Sequence, residues 1–410
     1  MIGQFSIQAS AGQARAGALA TAHGLIETPT FVPCATHGSL RGVNLAALSN
    51  QLILANAYHL YLRPGIETIE QLGGLHQFMH WDKPIITDSG GFQAFAFGQT
   101  PRRNPPEVDE MGPDRGSQPR AQYTPDGIRF RSHIDGAEHF FTPELVVDIQ
   151  QRLGVDIGTC LDVCTGFPES EVVVARAVSQ TNEWARRSIA AWHQPTGPQL
   201  QTWSVKPGLP SMLLYGMVQG SIYPEQRRRA VEELAALPFS GFAIGGNMYT
   251  FGQSITQLAT EKPKMWEVVS FTASLLPAEK PRHLLGVGEP RDLIDGVRAG
   301  IDTFDCVMAT RIARHGSAWI RRGDSWQFDR VDISAARFTT DRSPLDPTCE
   351  CFTCTSSYQR GYLRHLLKIE DPLALNLLSL HNVTLLHKLM QAVRRSIIAG
   401  TFEKEFPSDS

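Results

Sequence analysis

Short apolar runs alternate with longer amphipathic ones along most of this chain. Thr28–Val32, Leu52–Ala55, Pro84–Thr87, Asp156–Leu161, Leu213–Val218, Gly241–Ile244, His283–Leu285 and Asp302–Phe304 are brief and largely apolar, as strands buried on both faces are. Between several of them apolar positions recur with helical spacing, at Pro143–Leu153, Glu171–Trp192, Pro224–Leu237 and Pro290–Ala299. The last opens with Pro290 and carries Asp292 in its first turn, as helix starts do. Strands and helices alternating in this way predict a (β/α)8 barrel, with a doubly wound sheet as the runner-up.

The ends of the strand runs carry the next signal. Asn56, Asp88, Asp162, Gln219, Gly246, Gly286 and Asp305 are polar or glycine beside apolar neighbours. In a barrel such ends converge on one mouth, where active sites sit. Polar strand ends are common in any fold, so one of them proves little. The two acids within Thr87–Gln93 and Phe304–Met308 are harder to dismiss, because a buried carboxylate costs several kcal/mol unless it is paired or used.

Two carboxylates facing a sugar carbon can perform double displacement, one attacking the anomeric centre and the other handling protons. Asp305 lies among Phe304, Cys306 and Val307, where water is scarce. Asp88 precedes Ser89-Gly90-Gly91, whose backbone can approach a flat ligand closely, and Phe92 could stack on that ligand. Asp162 could accept two N–H bonds from a guanine-like edge, Gln219 could read a carbonyl, and Gly245-Gly246 offers bare backbone groups. Arg311 and Arg314 form a compact cationic patch just past Asp305, suited to phosphates or bases, although surface solvation alone would explain them.

Near the C-terminus the pattern is interrupted by Cys349-Glu350-Cys351-Phe352-Thr353-Cys354. Three thiols at this spacing plus one imidazole make a Cys3His set suited to tetrahedral Zn2+. A disulfide is the competing explanation, but thiols this close form strained rings and the third would be left over. His381, in an amphipathic stretch with Leu378, Leu385, Leu389 and Val393, is the expected fourth ligand, with His365 as the alternative. Four protein ligands leave no open position, so the metal is expected to be structural.

The 410 residues, 42% hydrophobic and 19% charged, suffice for one large domain and a small one. With 38 basic and 41 acidic side chains the net charge is −3, so a polynucleotide would have to bind at a local patch. The seven cysteines suit a reducing compartment, and the N-terminus has no signal-peptide pattern, so a cytoplasmic location is expected. No apolar run is long enough to span a membrane. Gln99–Gln122 and Gln194–Pro210, rich in Pro and Gly, read as exposed loops.

The motifs Glu27-Thr28-Pro29, Asn56-Ala57-Tyr58-His59-Leu60, Leu62-Arg63-Pro64-Gly65, His80 through Ile85, Thr87 through Gln93, Phe130 through Gly136, Val218-Gln219-Gly220, Gly286-Val287-Gly288, Phe304 through Met308 and the cysteine cluster occur in this order over nearly the whole chain. In this the chain resembles the tRNA-guanine transglycosylases (queuine tRNA-ribosyltransferases) of the bacterial type. The resemblance implies an irregular (β/α)8 barrel over 1–345, with an insertion at about 99–122, and a zinc-binding subdomain over 346–410 whose helix packs back on the barrel. It implies exchange of the wobble guanine of a tRNA with a G-U-N anticodon for a 7-deazaguanine, either preQ1 or queuine, in queuosine synthesis. Asp305 then matches the nucleophile toward C1′ and Asp88 the general base. Ser89, Gly90, Gly91, Phe92, Asp162, Gln219, Gly246 and Leu285 match the base pocket. Gly286, Val287, Gly288, Glu289, Pro290, Arg291 and Asp292, with Thr310, Arg311, Ile312, Ala313 and Arg314, match the segments that hold the anticodon loop. Cys349, Cys351, Cys354 and His381 match the zinc ligands. A homodimer is also implied.

The chain departs from that pattern at Asn247-Met248-Tyr249-Thr250, at Leu285, where the family has a Met, at Val163, where it has an acid, and in the long 99–122 stretch. Most of these changes fall around the base pocket, leaving preQ1 and queuine both open. Other readings are a non-catalytic partner subunit, a relative acting on DNA, and a barrel glycosidase with a zinc clip. The intact acid motifs, the cationic segment with the metal cluster, and the purine-reading set argue against these in turn.

Overall fold

The computed structural model describes residues 1–98, 121–193, 212–246, 255–323 and 325–408. Eight parallel strands form its centre: β1 (Thr30–Pro33), β2 (Ile53–Asn56), β3 (Ile85–Asp88), β4 (Ile157–Thr159), β5 (Leu213–Val218), β6 (Gly241–Ile244), β7 (Arg282–Leu284) and β8 (Thr303–Cys306). They pair in the order β1-β8-β7-β6-β5-β4-β3-β2. A parallel bridge between Cys34 and Leu54 joins the two ends, so the sheet closes into a barrel and the doubly wound alternative is excluded. Each strand falls within one or two residues of its predicted run, because burial on both faces leaves an unbroken apolar signal.

The helices follow from local chemistry. Over Pro143–Leu153 the Thr142 side chain accepts from the Leu145 N–H, Pro143 opens the first turn, and Gly154 ends the helix at φ 73°. Glu171–His193 and Pro290–Arg298 match expectation closely, whereas Pro224–Ala235 stops short of the predicted Leu237.

Three β units were not anticipated. A three-stranded antiparallel sheet, Phe5–Ala11, Ala14–Thr21 and Gly24–Thr28, plugs the N-terminal end of the barrel. There Leu19 and Ile26 pack with Leu52, Ile86, Ile157 and Leu213. A second such sheet, Ala121–Thr124, Gly127–Arg131 and Glu138–Phe141, takes in the last residues of the predicted 99–122 loop; residues 99–120 lie outside the described chain, as do 194–211 and 247–254. A hairpin, Ser317–Arg321 with Phe328–Asp332, follows β8.

A small second core gathers Cys351, Cys354, Leu363, Leu366, Leu377 and Leu378 with Ala313, Ala318 and Ile333. The cysteine-bearing part is thus knitted to the last barrel unit and the hairpin. The helix Pro372–Ala399 begins in this small core and runs into the main one, burying Leu380, Val383, Leu386, Leu389 and Val393.

Candidate active site

Asp88 is the last residue of β3 and pairs in register with Asn56, the last of β2. The Asn56 amide serves two elements. Its Oδ1 accepts from the His59 N–H and starts the helix Ala57–Leu62. Its Nδ2 donates to Asp88 Oδ2 at 2.5 Å. Gln93 Nε2 donates to the same oxygen at 3.2 Å, and the Ala57 N–H to Oδ1 at 3.3 Å. Every donor is neutral. Enclosure pushes the Asp88 carboxyl up to about 7, against the pull of Gln93, and the charge of Asp305 adds to the rise. Both acids therefore share one mouth and feel each other.

Asp305, in β8, is 9% exposed. Its Oδ1 lies 3.1 Å from His283 Nε2 and accepts a longer bond, 3.4 Å, from the Gly286 N–H. Among the described residues its Oδ2 meets only the Cys34 thiol, at 3.4 Å. Asp162 and Gln219 lie just past β4 and β5, both buried. Gln219 Nε2 donates to Asp162 Oδ2 at 2.6 Å, and Ser89 Oγ donates to Oδ1 at 3.2 Å. Burial raises the Asp162 carboxyl. Gln219 Oε1 is buried and has no hydrogen-bond partner among the described residues, so a ligand N–H could be received there.

Glycine is required around this pair. A Cβ on Gly91 would stand 2.6 Å from Asp162 Oδ1, and one on Gly246, at φ 61°, 2.6 Å from Gln219 Oε1. Ser89 Oγ also accepts from the Gly91 N–H. Gly90 adopts φ 80°, Phe92 is exposed, and Leu285 is partly buried against the core.

Of the segments expected to hold nucleic acid, Val287, Gly288, Pro290, Asp292, Thr310, Ile312 and Ala313 are buried, and Asp292 pairs with Lys262 at 2.5 Å. Gly286 is exposed, and Glu289, Arg291, Arg311 and Arg314 keep partial exposure.

Several residues escaped the sequence reading. His283 and Cys34 flank Asp305. Arg227, in Pro224–Ala235, is buried and donates to the carbonyls of Val218, Ser221 and Gly246, fixing the turns after β5 and β6. Its signal was available: it shares the helical face of Ala230, Val231 and Leu234, which a run of three arginines obscured. His37, His59, Arg63, His133 and Ile134 line a cavity of about 420 Å³. Burial lowers His59 to about 3, helped by His37 and His133.

The ligand atoms of Cys349, Cys351, Cys354 and His381 lie within 4.8 Å of one another, so this cluster could hold a metal ion. His381 Nδ1 is 3.5 Å from Cys351 Sγ and 3.4 Å from Cys354 Sγ. Tetrahedral coordination at ordinary zinc bond lengths would put these atoms about 3.6 Å apart. His381 Nε2 lies 2.7 Å from the Trp319 carbonyl, which fixes the ring with Nδ1 toward the thiols, so the alternative His365 is not needed. Hydrogen bonding within the cluster pulls the Cys351 thiol below its usual range and pushes the Cys354 thiol above it, as expected of thiols that share protons at one site.

A second group, His23, His76 and Asp156, sits at the opposite end of the barrel. Its stacked imidazoles, with centroids 3.6 Å apart, and the N–H groups of Ile85 and His23 surround one carboxylate. That arrangement reads as a structural clamp.

A profile described as Queuine tRNA-ribosyltransferase matches residues 10–407. The chain belongs to this family. Among similar proteins, the queuine tRNA-ribosyltransferase of Roseiflexus sp. is 42% identical over 394 residues, covering 95% of this chain and 94% of the relative. That of Oleidesulfovibrio alaskensis is 40% identical over 404 residues, covering 98% and 94%. As a queuine tRNA-ribosyltransferase family member, the chain agrees with the resemblance read from its motifs.

Proposed function

We propose that the barrel mouth exchanges a guanine of tRNA for a 7-deazaguanine through a covalent glycosyl-enzyme. Family membership makes the chain a tRNA-guanine transglycosylase, a pentosyltransferase. The observation that carries the mechanism is the unequal footing of two acids at one mouth. Asp305 attacks C1′ with an electron pair, and the C1′–N9 bond breaks with its pair leaving on guanine. Asp88, whose carboxyl titrates near neutrality, gives that base a proton and later takes one from the incoming base. The new base then attacks C1′ and frees Asp305. The nucleoside must be extruded from its stack to reach them. Asp162, Gln219 and the Gly246 backbone read the base edge while Phe92 stacks on it.

Arg311 and Arg314, at the end of the helix Met308–Arg314, provide the cationic patch for an anticodon loop of the G-U-N type. The Cys3His set suits Zn2+, which would tie the C-terminal helix to the hairpin and supply no chemistry at the mouth. Phe352, Tyr358 and Tyr362 form an aromatic row next to the cluster, with Phe352 and Tyr362 exposed, and this apolar patch supports a homodimer. Among the described residues no helix is long and apolar enough to cross a membrane; with seven unpaired thiols and a tRNA substrate, a cytoplasmic location fits.

The test is exchange of labelled guanine in a G-U-N tRNA, chased separately with preQ1 and queuine. Release of label by either base supports the reading and names the substrate; retention with both would sink it. Metal analysis of reduced protein should find about one zinc per chain.

A further inference from the structure

We propose that His283 divides the labour between the two oxygens of Asp305, so that Oδ2 attacks the sugar while Oδ1 is held to become the ester carbonyl. This deepens the reading above and rests on Asp305 as nucleophile. The geometry is asymmetric. His283 is wholly buried in β7, opposite Thr303 in register. Its Nδ1 lies 2.8 Å from Thr303 Oγ1, and its Nε2 lies 3.1 Å from Asp305 Oδ1. With the hydroxyl donating to Nδ1, the ring proton sits on Nε2 and points at Oδ1. The Gly286 N–H, turned by a φ of 76°, adds a second, longer donor to that oxygen.

Among the described residues Oδ2 has only the weak S–H donor of Cys34. Burial, reinforced by Asp305, pushes that thiol well above its usual range, so it stays protonated and does not compete as a nucleophile. A lone pair on Oδ2 is thus the freer of the two. In the first step Oδ2 bonds to C1′ and guanine leaves. In the second the incoming base bonds to C1′, the C1′–Oδ2 bond breaks, and its pair returns to the carboxylate. Negative charge grows on Asp305 only in that second step. Donors to Oδ1 therefore help most when the carboxylate departs. His283 is a positioning residue whose effect falls on discharge of the intermediate.

The two half-reactions separate on a denaturing gel: formation of the tRNA adduct without incoming base, then its discharge by added preQ1 or guanine. His283→Phe should leave adduct formation within a few-fold and slow discharge by about 10–100-fold, so that adduct accumulates during turnover. His283→Gln, which restores an N–H donor, should recover most of the rate. A circular dichroism melt checks the fold, and if the Phe variant fails to fold, the same split is read on His283→Leu, which also lacks a donor. Equal slowing of both steps, or unchanged discharge, overturns the assignment. If the wild type forms no adduct, the reading of Asp305 falls and takes this one with it; a normal wild-type adduct confines any failure to His283.

Discussion

Asp156 at the floor of the barrel and Asp88 at its mouth are both buried acids, and their surroundings move them in opposite directions. At the N-terminal end Asp156 is surrounded by His23, His76 and two backbone N–H groups, and Asp302 is bridged by Arg15 and the Arg282 N–H. Burial alone would raise the Asp156 carboxyl, but these donors outweigh it and hold it down to about 2. At the mouth Asp88 and Asp162 are met by Asn56, Gln93, Ser89 and Gln219, none of which carries charge. Asp88 rises to about 7 instead. Burial keeps the Asp302 carboxyl raised despite Arg15, so the contrast lies between Asp156, a fixed anchor, and Asp88, which stays within reach of a proton.

Substitution should expose this difference. Asp305→Asn is expected to lower guanine exchange by on the order of 10³–10⁵-fold while the melting temperature stays put. Asp156→Ala should do the reverse: destabilise by about 3–5 kcal/mol in urea titration, since four donors lose their anion, with kcat intact in the folded fraction. A strong activity loss in folded Asp156→Ala would break the contrast. Gln219→Ala should reduce kcat/KM for the incoming base by about 10–100-fold, read in the same exchange assay.

The smallest effect is on stability against pH. Asp88 has a folded value above its ordinary 3.8, so the neutral form favours the fold, and that contribution is lost as pH rises toward about 7. Asp156 has a depressed value, so its contribution is present above about 4 and lost as pH falls toward 2. Asp88→Asn should therefore melt a few degrees higher than wild type at pH 8 and no higher at pH 4. A gain of equal size at both would deny the raised carboxyl.

How much of this was legible in the sequence depends on what each residue's neighbours are. The barrel strands were readable because burial on both faces makes an unbroken apolar run, and the cysteines because their spacing admits few other uses. Asp88 and Asp305 stood out as acids in apolar company. His283 and Cys34 did not, since their meeting with Asp305 is made by the register of β7, β8 and β1 rather than by nearness along the chain. Phe5–Ala11 was missed because it is mostly solvent-facing and weakly apolar. Arg227 was masked by Arg228 and Arg229, although helical periodicity alone would have turned it inward.

Position 56 illustrates how tightly the mouth constrains its own coding. Serine or aspartate would begin the following helix about as well as asparagine does. Neither presents an amide that accepts on one side and gives on the other. An aspartate there would set two anions face to face, and a serine would fall short of the acid it must hold. A single codon change at this point would leave the architecture standing and retune the proton chemistry beside it.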